Sequence, residues 1–106
     1  MANDPSEFRL QDPIQLDDWE QYWIERTLRP FELKALSRKR CKLETIEKAQ
    51  HARKSAQQIL KELSVDASTS AIYPFSVDTE EQGMAWGGYA IVQNGRIMSW
   101  YKTWLA

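Results

Sequence analysis

The chain has 106 residues, of which 42% are hydrophobic, so it is long enough for one folded domain with an apolar core. Its 14 Lys and Arg residues against 15 Asp and Glu residues give a net charge of -1, which excludes a protein that is basic overall. Because it has one cysteine and no apolar run near the ~18 residues of a membrane helix, we expect no internal disulfide, no membrane association and a cytoplasmic location.

Charge is distributed unevenly along the chain. Residues 1–25 contain seven acidic side chains and one basic side chain, whereas residues 26–54 contain ten basic side chains and three acidic ones. Residues 55–106 carry a net charge of -2. Opposite charges attract within a Debye length of roughly 8–10 Å, so one interpretation is that the acidic start folds over the basic middle. The other is that the basic middle meets an anionic partner.

The acidic start is predicted to contain an arm and a short helix. Residues 1–15 have two prolines among mainly polar side chains, which indicates a flexible acidic arm. We expect residues 16–106 to form a single α+β domain. Asp17, followed three residues later by Glu20, has the spacing of a capping box, so the short helix should begin there. It should end before Pro30, because a residue that precedes proline disfavours the helical conformation.

A long basic helix is predicted from Phe31 to Leu63, where no glycine or proline occurs and strong helix formers dominate. Its apolar residues form two sets about a third of a turn apart: Leu33, Leu36, Leu43 and Ile46, then Ala49, Ala52, Ala56, Ile59, Leu60 and Leu63. One straight face cannot bury both sets. Three arrangements would bury both sets. The helix bends near Glu47, its two halves pack against different neighbours of which one is a second copy of the chain, or the helix breaks at Gln50 or His51.

A three-stranded antiparallel β-meander is predicted for residues 72–104, after the helices over 17–63 and a linker at 64–71. Pro74 should confine the first strand to an edge of the sheet, because proline has no N–H to donate. The last two strands flank Asn94-Gly95, the pair that best fits a type I′ turn. The predicted fold class is therefore α+β, with a short helix and a long helix followed by this meander.

The turn also predicts the pairing of the last two strands. Val92 should pair with Ile97, and Tyr89 with Trp100. By alternation, one predicted face carries Trp86, Gly88, Ala90, Val92, Ile97 and Tyr101, and the other carries Gly87, Tyr89, Ile91, Met98, Trp100, Lys102 and Trp104. Both faces are apolar, so each needs a covering layer, and with two helices predicted one layer could be another molecule.

Residue types that carry catalysis or bind metals are few. His51 is the only histidine and Cys41 the only cysteine, and on a helix they lie about 80° apart, which is unsuited to a nucleophile pair or a metal site. Gly87-Gly88 lies within a predicted strand, where it indicates a bulge or a close approach by a ring or backbone rather than a phosphate-binding loop. We therefore expect no enzymatic activity, no metal site and no cofactor.

The aromatic hairpin favours a role in protein binding. Trp and Tyr are enriched at protein interfaces, where a few buried aromatic residues supply most of the binding energy. The leading hypothesis is a small non-enzymatic interaction or regulatory module, a homodimer that docks on a larger protein. Its predicted anchors are Trp86, Trp100, Tyr101 and Trp104.

The basic middle favours an alternative hypothesis. Lys34, Arg38 and Lys42 recur every four residues, so they should form one exposed row on the long helix, with Arg40 beside it. Such a row suits phosphates or an acidic protein surface. The alternative function is therefore nucleic-acid binding, with the basic helix over residues 34–54 lying against phosphates.

Overall fold

Three helices and an antiparallel sheet make up residues 7–79 and 84–105, the part of the chain that the computed structural model describes. The helices are α1 (Trp19–Thr27), α2 (Pro30–Ser37) and α3 (Leu43–Glu62), with a short 3-10 helix at Leu16–Asp18 before α1. The strands are β1 (Arg9–Leu10), β2 (Ile14–Gln15), β3 (Ala71–Thr79), β4 (Met84–Gln93) and β5 (Arg96–Leu105). The strand order is β1-β3-β4-β5, and β2 also pairs with β3. The predicted α+β class and C-terminal meander are confirmed.

The structure corrects the prediction of one uninterrupted helix from residue 31 to residue 63. Helix α2 ends at Ser37 and α3 begins at Leu43, and Lys39 between them has a positive φ of 55°. The break lets α2 fold back, so that its partly buried Leu33 and Leu36 pack against a cluster of Ile24, Leu28, Ala49 and Ala52 from α1 and α3. Burial of Leu33 and Leu36 thus outweighs helix propensity in the connecting segment, whereas Leu43 and Ile46 of the same apolar set remain exposed.

The predicted flexible arm over residues 1–15 differs from the structure over residues 7–15. Strands β1 and β2 both pair with β3, and buried Phe8 stacks on Phe75 with ring centroids 4.1 Å apart. Pro74 therefore does not lie on an edge strand as predicted. It lies between the segments of β3 that pair with β1 and β2, where its missing N–H interrupts no β1 or β2 pairing. Residues 1–6 of the arm lie outside the described residues.

The hairpin turn has the predicted geometry, but the pairing beyond it does not. Asn94 and Gly95 both have positive φ, 52° and 74°, and Val92 pairs with Ile97 as expected. A register shift between Ile91 and Val92 then pairs Tyr89 with Tyr101 instead of Trp100. A second shift between Gly87 and Gly88 pairs Gly87 with Trp104 and Trp86 with Leu105.

These two shifts change the predicted faces. We call the face that packs on α1 and α3 the helix-side face, and the opposite one the outer face. Tyr101 joins Tyr89 on the helix-side face, whereas Trp100 and Lys102 lie on the outer face with Trp86. The sequence had predicted the opposite face for each of Trp100, Tyr101 and Lys102. A one-residue slip in register moves the side chains that follow it to the other face.

Each face of the sheet has its own apolar cluster. On the helix-side face, α1 and α3 cover the sheet through a cluster of Trp19, Ala56, Ile59, Leu63, Ile72, Tyr89 and Ile91. Burial raises the pKa of Tyr89 in this cluster, and its hydroxyl lies 3.1 Å from that of Tyr22. The outer face has a cluster of Phe8, Phe75, Val77, Trp86 and Ala90. The layer over this face is thus supplied, within the described residues, by Phe8.

Candidate functional site

The four predicted aromatic anchors do not share one face of the sheet. Trp86 is buried on the outer face, where its ring centroid lies 5.4 Å from that of Trp100. Tyr101 and Trp104 belong to the helix-side face, and the Trp104 ring lies over Gly87. Trp100, Tyr101 and Trp104 nevertheless share strand β5. The structure therefore places these three aromatic side chains along one strand rather than on one face of the sheet.

Strand β5 is the outermost strand of the sheet at its C-terminal side, within the described residues. It has 10 residues, and no strand of the described residues pairs with the side of its backbone that faces away from β4. The exposed fraction is 59% for Met98, 38% for Trp100 and 43% for Trp104. A long edge strand with apolar side chains is a template for pairing with another strand. The sequence predicted the aromatic residues but not that they lie along an edge.

A groove runs between α3 and β5, with a volume of about 490 Å³. Its lining includes Trp23 and Tyr101 and the polar side chains of His51, Lys54 and Gln58. The indole N–H of Trp23 is buried and has no hydrogen-bond acceptor among the described residues.

The α3 surface beside this groove is positively charged. A neighbouring groove is lined by Arg53, Lys54, Gln57, Gln58 and Lys61. Arg53 pairs with Glu20 at 3.2 Å, whereas no acidic group of the described residues lies within ion-pair distance of Lys54 or Lys61. An anionic group placed beside β5 would therefore meet uncompensated positive charge.

The predicted basic row on one long helix is corrected by the break between α2 and α3. Lys34 lies on α2, Arg38 and Arg40 lie in the connection, and Lys42 immediately precedes α3. Arg40 and Lys42 line a cleft between α2 and α3 with a volume of about 450 Å³, whereas Lys34 and Arg38 are not part of its lining. The row is thus replaced by a cleft that the sequence pattern did not predict.

A buried carboxylate forms one wall of this cleft. Glu32 accepts hydrogen bonds from the backbone N–H of Arg29 at 3.1 Å, from Lys48 Nζ at 3.1 Å and from Thr45 Oγ1 at 3.4 Å. The Arg29 N–H and the Lys48 ammonium group hold the pKa of Glu32 below its usual range, although burial opposes them. The interaction joins the start of α2 to α3.

The low pKa of Glu32 predicts a dependence of stability on pH. The stabilisation from its carboxylate should be complete above the unfolded-state pKa, near 4.5, and should decline as pH falls through the lower folded-state pKa. We expect Glu32→Gln to lose this charge-dependent stabilisation. The difference in unfolding free energy between the original protein and the variant should therefore shrink on acidification. Urea unfolding at a series of pH values measures it. Asp66, whose pKa is lowered by hydrogen bonds from Ser68, affects both proteins equally. A difference independent of pH would contradict the role of the Glu32 charge.

The sequence also singled out Cys41 and His51, which lie on different parts of the fold. Cys41 is a free, half-buried thiol in the connection between α2 and α3, and His51 is exposed on α3. Within residues 7–79 and 84–105, no three His, Cys, Asp or Glu side chains come close enough together to hold a metal ion. None of the described helices combines the length and the apolar character needed to cross a bilayer.

Comparisons with protein families, with curated proteins and with solved structures find no match to this chain. Two surfaces therefore stand as candidates on their geometry alone. One is the edge of β5 with the groove beside α3, and the other is the cleft between α2 and α3.

Proposed function

We propose that the chain is a non-enzymatic protein-interaction module that binds an extended, acidic segment of a larger protein along β5. The observation that carries the proposal is the free edge of this 10-residue strand, flanked by exposed Met98, Trp100 and Trp104. A peptide that adds a strand to a sheet gains main-chain hydrogen bonds along its whole length. Its alternating side chains then contact the two faces in turn.

The aromatic residues of β5 supply the apolar contacts of such a complex. A strand added beside β5 would have side chains next to Trp100 on the outer face and next to Tyr101 on the helix-side face. Large aromatic rings that become desolvated at an interface often dominate its binding energy. The three β5 anchors predicted from the sequence therefore act from both sides of one edge, whereas buried Trp86 supports Trp100 from within the fold.

The charge beside the edge favours an acidic segment. Side chains on the helix-side face of the added strand would enter the groove that Lys54 and Gln58 line, with Lys61 beyond it. Carboxylates at alternate positions would meet these ammonium groups, which have no acidic partner among the described residues. Complementary charge of this kind also accelerates association and selects against basic segments.

A second copy of the chain fits this edge less well than an acidic partner does. Two-fold pairing of β5 with itself would place both sets of helices on the same side of the joined sheet, with the cationic flanks of α3 towards each other. Repulsion between like charges opposes that arrangement. The homodimer predicted from the sequence would use the same edge of β5, and it is the alternative to an acidic partner there.

Site-specific photo-crosslinking in cells tests the proposal. A photoreactive phenylalanine analogue at Trp100 should capture a partner segment, and mass spectrometry should show that the attached peptide is acidic. The matched control carries the analogue at Gln50, an exposed position on α3 that is absent from the lining of both α3 grooves, and should not capture the same segment. Capture of the chain's own β5 would establish the homodimer instead. Equal capture from both positions, or from neither, would refute the β5 site.

A further inference from the structure

The cleft between α2 and α3 concentrates positive charge in a concave site. Its volume of about 450 Å³ is within the ~300–1,000 Å³ typical of small-molecule sites. Its lining includes four cationic side chains, Arg29, Arg40, Lys42 and Lys48, and two acidic ones, Glu32 and Glu44. The Glu32 carboxylate is occupied by Lys48, and none of the other three cations has an acidic group within ion-pair distance among the described residues. The site therefore attracts anions.

An exposed aromatic ring lies in the same lining. Phe31 is 67% exposed, although it is a large apolar side chain in the first turn of α2. The apolar residues of α2 that face the core are Leu33 and Leu36, which pack against α1 and α3. The Phe31 ring is thus available to a ligand that also contacts Arg40 and Lys42. A phosphate alone would use the cations but leave this ring in water.

We infer that this cleft binds single-stranded nucleic acid, with backbone phosphates on Arg40 and Lys42 and an unpaired base stacked on Phe31. Cationic grooves that follow the backbone, combined with aromatic rings for the bases, are the usual means of binding single strands. Bases within a duplex stack on one another and are not free to cover a protein ring. Exposed Arg38 and Lys39 in the connection extend the positive surface towards neighbouring phosphates.

The inference is independent of the proposed protein-binding edge. Lys61, which lies in the groove system beside β5, is 19 residues along the chain from Lys42, and α3 spans nearly all of this distance. At ~1.5 Å per residue, about 28 Å of helix separates the two side chains. Failure of one site therefore leaves the other unaffected.

Fluorescence anisotropy of a labelled short oligothymidylate with the full chain tests the inference, at about 50 mM salt, where phosphate contacts are strongest. We expect Phe31→Ala to weaken binding about 5- to 150-fold through loss of stacking, and Phe31→Trp to retain it. Lys42→Ala should reduce the slope of log affinity against log salt by about 0.7, the contribution of one phosphate on a single strand. Both side chains are exposed, so the circular dichroism of these variants should match that of the original protein.

The controls separate this site from general electrostatic attraction. Lys61→Ala removes the same charge from the other end of α3 and should leave the affinity almost unchanged. A duplex of the same length and thymidine monophosphate should each compete poorly with the single strand. No binding at low salt, equal binding of the duplex, or equal affinity of Phe31→Ala would overturn the inference. Displacement by the mononucleotide at equal concentration would replace it with a site for free nucleotides.

Discussion

Replacing Trp19 with alanine is expected to lower the free energy of unfolding by about 3–5 kcal/mol, the range for loss of a buried large aromatic side chain. Trp19 is only 1% exposed and lies where α1, α3 and the sheet meet. Its ring centroid lies 4.9 Å from that of Tyr89 and 5.6 Å from that of Tyr22. Its Nε1 donates a buried hydrogen bond of 2.9 Å to the carbonyl oxygen of Ala56 on α3.

The substitution therefore leaves a cavity and removes a buried hydrogen bond between α1 and α3. Urea unfolding monitored by circular dichroism measures the loss. Leu43→Ala is a matched control, because it truncates an exposed apolar side chain on α3 and should change the stability by no more than about 0.5 kcal/mol. If Trp19→Ala cost less than about 1 kcal/mol, the ordinary effect of a single substitution, Trp19 would not be the central contact of the core.

Replacing Gly88 with alanine is expected to be comparably destabilising, at about 3 kcal/mol or more, because no flexible side chain can move to make room. An added Cβ would lie 2.8 Å from the carbonyl carbon of Tyr101 and 3.0 Å from Cα of Lys102, and closer still to the Tyr101 carbonyl oxygen. All of these are backbone atoms of β5. Strands β4 and β5 would have to separate at the centre of the hairpin.

Gly95→Ala supplies the comparison for Gly88→Ala. An added Cβ at Gly95 meets no atom within 4 Å, so the cost there is limited to the positive φ of 74°, about 1–2 kcal/mol. Thermal unfolding of the two variants side by side measures the difference. A midpoint for Gly88→Ala that is equal to or above that of Gly95→Ala would contradict the close approach of β5 to Gly88.

Local signals in the sequence were sufficient for the hairpin turn and the fold class. Asn94-Gly95 predicted the turn because two consecutive positive φ angles strongly favour such residues. The same signals failed for the helix from residue 31 to residue 63. No glycine or proline marks the break at residues 38–42, which depends on the burial of Leu33 and Leu36 against residues of α1 and α3. Packing between distant segments is not visible in helix propensity.

The candidate sites were only partly predictable for the same reason. Aromatic residues of β5 stood out in the sequence, but two register shifts decide which face each of them occupies. Gly87-Gly88 indicated the shift between these two glycines, whereas no residue pattern predicted the shift between Ile91 and Val92. Arg40 and Lys42 were predicted to contact phosphates or an acidic partner, yet their proximity to Phe31 and Glu32 requires the reversal between α2 and α3. Residue types thus indicated the chemistry, and the tertiary fold decides which of them meet.

The proposed docking edge is tested most directly by NMR shift mapping on the full chain with a synthetic extended peptide that alternates glutamate with valine. We expect the largest amide shifts along β5, from Arg96 to Leu105, together with shifts at Lys54 and Gln58 on α3. A peptide with lysine in place of each glutamate should produce much smaller shifts. Equal responses to the two peptides, or shifts confined to the cleft between α2 and α3, would contradict an acidic strand partner at β5.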